Sequence, residues 1–89
     1  MKFLVTPEAT AEGVLSQNRD WVQSLQSDNK ARLMKEVEDL AENGAMIFQQ
    51  GGSFNSTRTI NLEGNQVVIF ADFTKPTLLQ KVLALIGLR

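Results

Sequence analysis

The chain has 89 residues, with nine basic and ten acidic side chains and neither histidine nor cysteine. That composition excludes disulfides, thiolate metal sites and a cysteine nucleophile, and it removes the commonest general base and metal ligand. A net charge of −1 with no basic cluster argues against nucleic acid as a partner.

One domain spanning 1–89 is expected, and a domain of this size buries only roughly 60–65 per cent of the surface its unfolded chain exposes, so a second copy would supply core that one chain lacks. No apolar run reaches the length of a membrane span. Lys2 is followed by only Phe3, Leu4 and Val5 before Thr6-Pro7, too short for a signal-peptide core. A cytoplasmic protein without cofactor or metal is the expectation.

The elements follow in chain order. Met1 to Thr6, MKFLVT, alternates as a short strand. Thr6-Pro7-Glu8 reads as an N-cap, a proline at the first helical position and an acid in the first turn. Apolar spacing through Val14, Trp21, Val22 and Leu25 carries a helix, with Trp21 expected in the core. The cap formers Ser27-Asp28-Asn29 predict a break before a second piece with core positions Leu33, Val37, Leu40 and Ala41. The unbroken steps of four from Trp21 to Val37 leave one long kinked helix as the alternative. On its outer face Arg32 with Glu36 and Lys35 with Asp39 stand at ion-pair spacing. Asn43-Gly44 predicts the end of the helix, Gly44 being the left-handed residue. Ala45 to Gln50, AMIFQQ, then reads as a strand that bends at Gly51-Gly52-Ser53.

Thr57 to Phe73 reads as a β-hairpin. Gly64-Asn65 suits a type II′ turn, which pairs Leu62 with Val67, Ile60 with Ile69, Arg58 with Ala71 and Thr57 with Asp72. Alternation then places Ile60, Leu62, Val67, Ile69 and Ala71 on one face, with Arg58 at its end, and Thr57, Thr59, Asn61, Val68, Phe70 and Asp72 on the other. After Phe73, Thr74 caps a closing helix with Pro76 in its first turn and an apolar stripe from Leu78 to Ile86.

A right-handed crossover sets the first strand parallel beside the hairpin's second strand, which is therefore central. The continuous apolar run from Val67 to Ala71 agrees. The expected fold is α+β, of the ferredoxin-like β-α-β-β-α kind, with a three-stranded mixed sheet and helices on one face. The other face carries Leu4, Val68 and Phe70, and a two-fold homodimer is the simplest cover for it.

The starting strand MKFLVT, the helix with a glycine turn LAENGAMIF, the glycine-rich bend and the apolar strand before a last helix resemble the small dimeric α+β-barrel proteins, including muconolactone isomerase-like and YCII-related families. From Asn43 to Lys81 the layout is similar to the YCII-related pattern. Asp72 and Phe73 stand where that pattern has Asp-Gly-Pro-Phe, here without the Gly-Pro, and the histidine common in the family has no counterpart. The resemblance implies a homodimer enclosing a small-molecule site.

Two functional readings follow. One is a homodimeric binding or interaction module. The other is an isomerase-like enzyme on a small organic acid, with Asp72 as the proton-transfer group, Arg58 or Gln50 orienting the substrate, and Thr59 and Asn61 lining the pocket with Thr57. Against these stand structural alternatives: Asp72 as a local cap near Thr74, Arg58 paired with a surface acid, and Gln49 to Ser53 as a bulged loop.

Overall fold

The computed structural model describes residues 1–74, and strand β1 (Lys2–Val5) opens it. The first helix does not begin at Pro7. Ala9 donates its N–H to Thr6 O at 3.1 Å, so Pro7 occupies the second position of a turn, where its fixed φ fits. Helix α1 (Ala11–Leu15) starts instead at Thr10, whose hydroxyl accepts the Gly13 N–H at 3.0 Å. A 3₁₀ turn (Ser16–Asn18) and helix α2 (Arg19–Gln23) follow. The break expected at Ser27-Asp28-Asn29 comes just before those residues, where Ser24 turns its hydroxyl back onto Trp21 O at 2.6 Å. The three cap formers make the first turn of helix α3 (Ser27–Gln49).

The length of α3 corrects two expectations. Ala45 to Gln50 is the last part of this helix and its C-cap, not a strand, and Gly44 lies buried inside the helix and does not end it. The apolar stripe Leu33, Val37, Leu40 continues at helical steps through Gly44 to Phe48, and this continuity outweighs the local strand preference of Ile47 and Phe48. Glycine at 44 serves close packing, because a Cβ there would stand 2.5 Å from the Phe73 ring. The left-handed residue is Gly51, at φ 93°. Its N–H bonds Phe48 O at 3.1 Å and the Gly52 N–H bonds Ile47 O at 3.0 Å, the paired bonds of a Schellman motif. Gly51 and Gly52 therefore close a helix; they do not bulge a strand.

Strands β2 (Phe54–Leu62) and β3 (Asn65–Phe73) form the hairpin. Its turn is centred one residue earlier than expected, on Glu63-Gly64, with φ of 51° and 83°. Positive φ at both central residues is the type I′ signature. The pairing slides by two residues, so Ile60 faces Val67, Arg58 faces Ile69 and Asn55 faces Asp72. A slide of two leaves every side chain on its predicted face. The sheet order is β1-β3-β2, with β1 parallel and β2 antiparallel to the central β3, as the connectivity requires.

The fold is α+β with a three-stranded mixed sheet. The three described α-helices pack on one sheet face, where Phe3, Val5, Leu62, Val67, Ile69, Ala71 and Phe73 meet Val14, Leu15, Val22, Leu25, Leu33, Val37 and Leu40. Trp21 is only partly buried, its ring tilted against Phe3 at 6.3 Å. The closing helix expected after Thr74 lies outside the described residues. Among the described residues, no helix is long and apolar enough to cross a membrane.

A non-glycine residue in the left-handed region costs about 1–2 kcal/mol, so Glu63 needs a reason to be there. Its carboxylate supplies one: it accepts the Gln26 N–H and the Asn29 amide N–H, each at 2.8 Å, and so ties the hairpin turn to the start of α3. The Gln26 N–H first, and the Asn29 amide second, hold the Glu63 carboxyl below its ordinary value of 4.5. The unfolded chain therefore takes up this proton before the folded one does, and the stability the clasp contributes is present above 4.5 and lost as pH falls through the lower folded value. Glu63→Gln is expected to be less stable than the parent at neutral pH. Urea titrations should show that deficit shrinking below about pH 4.5, where the parent's own carboxylate is protonated.

Candidate functional site

Because side chains alternate along β3, burying Val67, Ile69, Ala71 and Phe73 turns Val68, Phe70 and Asp72 to the opposite face. On that face β1 contributes Lys2 beside Val68 and Leu4 beside Phe70, and β2 contributes Thr59 beside Val68, Thr57 beside Phe70 and Asn55 beside Asp72. No described element covers it. Leu4 is 44 per cent exposed and Phe70 39 per cent, and Val68 is half-buried between its neighbours. The three residues expected at an interface thus form one apolar strip along the uncovered middle of the sheet.

At one end of this strip lies a groove of about 380 Å³, open to solvent, whose walls include Leu4, Phe70, Asn55, Thr57 and Asp72. Asp72 accepts the Thr74 hydroxyl at 2.8 Å, and that hydroxyl stands 3.4 Å from Asn55 Oδ1. Asp72 thus has a local partner in Thr74, and it also lines the groove. Among the described residues no cation lines the groove.

The other candidates stand apart from this groove. Thr59 lies beside Val68 and Asn61 beside Gln66, four and six residues along β2 from the Asn55 that faces Asp72. At about 3.3 Å per residue those offsets are roughly 13 and 20 Å. Arg58 projects from the helix-covered face, donating to Glu36 Oε2 at 2.7 Å and lying 3.9 Å from Asp39 Oδ2. Glu36 and Asp39, at ion-pair spacing with Arg32 and Lys35 along the helix, reach across to β2 instead. Gln50 is the exposed C-cap of α3. Of the polar residues expected to bind a ligand, Asp72 and Thr57 border the groove.

Asn55 was not foreseen as Asp72's partner, because the expected turn paired Asp72 with Thr57. The signal that would have found it is the pair of positive-φ positions Glu63-Gly64, since moving the turn by one residue brings Asn55 opposite Asp72. Among the described residues no group of acidic side chains could hold a metal ion.

The two long edges of the sheet differ. On the outer edge of β1, the Gln17 side-chain amide bonds Leu4 twice, accepting its N–H and donating to its carbonyl at 2.8 Å each. Asn18 Nδ2 donates to Lys2 O at 2.7 Å. Two consecutive amide side chains from the 3₁₀ turn thus take the place of a further strand. No protein-family model matches this chain, nor does any curated protein or solved structure.

Proposed function

We propose that the chain is a homodimeric interaction and binding module of the ferredoxin-like, dimeric α+β-barrel kind, working in the cytoplasm, in which two copies meet through the uncovered sheet face. The observation that supports this is the two-sided character of β3: one side is sealed by helices, and the other presents Phe70, Leu4 and Val68 in a row with nothing of the described chain upon them. Large aromatic and aliphatic groups ringed by Thr57, Thr59 and Lys2 match the apolar centre and polar rim of an interface.

Two such faces brought together would roof the groove beside Asp72 and make it a small enclosed pocket. With the carboxylate of Asp72, the amide of Asn55 and the hydroxyl of Thr57 in its described walls, such a pocket suits a polar ligand that donates hydrogen bonds. The enzymatic reading has less support. Arg58 sits on the opposite face with Glu36, Gln50 ends a helix, and Asp72 has the neutral Asn55 across from it.

Sedimentation equilibrium at micromolar concentration tests the proposal. The parent chain is expected at twice its monomer mass, and Phe70→Glu is expected to weaken association at least thirtyfold, the factor for losing an interface anchor of about 2 kcal/mol. Unchanged far-UV circular dichroism would show that the variant still folds. A parent chain that sediments as a monomer throughout overturns the proposal.

A further inference from the structure

We infer that the outer edge of β2 is a second self-association site, at which the β2 strands of two copies pair antiparallel into one continuous sheet. The type I′ turn makes Leu62 and Asn65 a hydrogen-bonded pair, and alternation along the unbroken ladder then turns the backbone groups of Ser56, Arg58 and Ile60 toward β3. The N–H and C=O of Asn55, Thr57, Thr59 and Asn61 point the other way, off the sheet. Among the described residues nothing bonds to them.

Exposed edges of this length are normally blunted by charge, proline, a bulge or a covering segment. β1 has such protection, supplied by Gln17 and Asn18. Among the described residues β2 has none of these devices: its nine residues carry no bulge and no proline, its edge-facing residues carry no charge, and its one charged side chain, Arg58, points to the helix side.

The sequence of the edge identifies the occupant as a second copy. Asn55-Ser56-Thr57-Arg58-Thr59-Ile60-Asn61 is symmetric about Arg58 at every edge-facing position. With a two-fold axis at Arg58, Thr57 of one copy faces Thr59 of the other and Asn55 faces Asn61. Each such pair exchanges both backbone bonds, and like-with-like hydroxyl and amide pairs are favourable cross-strand neighbours. The two Arg58 side chains approach the axis already neutralised, each held by Glu36 at 2.7 Å with Asp39 at 3.9 Å. The extension of the sheet is self-limiting. Both outer edges of the joined sheet are the β1 edges that Gln17 and Asn18 close, so the sheet itself stops growing at two copies. This site uses backbone groups at the sheet edge and is separate from the Phe70 face.

Amide exchange followed by nuclear magnetic resonance on the full chain tests the inference without a variant of the strand. Ser56, Arg58 and Ile60 are expected to exchange slowly at every concentration, because β3 protects them. Asn55, Thr57, Thr59 and Asn61 are expected to slow by at least about tenfold between dilute and concentrated samples. The same pattern in Phe70→Glu would separate edge pairing from association through the face. Fast exchange of the odd-numbered amides at all concentrations would show a solvated edge and overturn the inference. Slow exchange at every dilution would place a segment of the same chain on the edge, and loss of protection in Phe70→Glu would make it a by-product of the face; either result also overturns it.

Discussion

Phe73→Ala is expected to destabilise the fold by about 3–5 kcal/mol, the range for truncating a buried aromatic. Phe73 is 2 per cent exposed and meets the Phe48 and Phe54 rings edge-on, each at 6.2 Å between centroids. It thus joins the end of α3, the start of β2 and the end of β3 at one point. Alanine would leave a cavity between three elements that cannot collapse together, since two of them are paired strands. Small domains have about 5–15 kcal/mol in all, and one of this size lies toward the lower end, so the loss is a large share of the total. Thermal unfolding should show a fall of well over 10 °C, at about 4–8 °C per kcal/mol. A loss under about 1 kcal/mol would mean that this junction is not packed as described.

Gly44→Ala is expected to destabilise, although the same change on an exposed helix face would gain about 1 kcal/mol. The added methyl would stand 2.5 to 2.7 Å from three atoms of the Phe73 ring. That ring is held by its two aromatic neighbours and cannot step aside. Overpacking of this kind costs about 1–3 kcal/mol, which exceeds the gain in helix propensity. The second half of the expectation is a coupling: in the background of Phe73→Leu, which shortens the obstruction, Gly44→Ala should lose most of its cost. Urea unfolding of the four proteins checks both signs. If Gly44→Ala alone raises the midpoint, the close approach of helix and ring is wrong.

These two positions also show why part of the fold was legible and part was not. The faces of the hairpin and the sheet order came through because they depend on period two and on the apolar run Val67 to Ala71. Neither changes when the register slides by two residues. The strand expected at Ala45 to Gln50 failed because Asn43-Gly44 carries every local mark of a helix end. What overrides those marks is Phe73, a distant residue that needs the space a missing Cβ leaves.

The turn shifted for a related reason. Gly64-Asn65 is the better turn by local preference, but the Glu63 carboxylate is fastened to Gln26 and Asn29 and holds its own backbone at φ 51°. The candidate site inherited that slip, so Asp72 gained Asn55 as neighbour and Thr59 and Asn61 fell along the strand. The seal on β1 left no trace in the pattern, since glutamine and asparagine in a helical turn do not announce that they will bond a strand.

The central claim is that a second copy covers the uncovered side of β3. The most direct measurement is an isotope-filtered NOE experiment on a mixture of labelled and unlabelled chain, which detects only contacts between molecules. The account predicts intermolecular cross-peaks from the Phe70 ring to the methyl groups of Leu4 and Val68. A filtered spectrum in which the Phe70 ring gives no cross-peaks, at concentrations where the chain is fully folded, would contradict it.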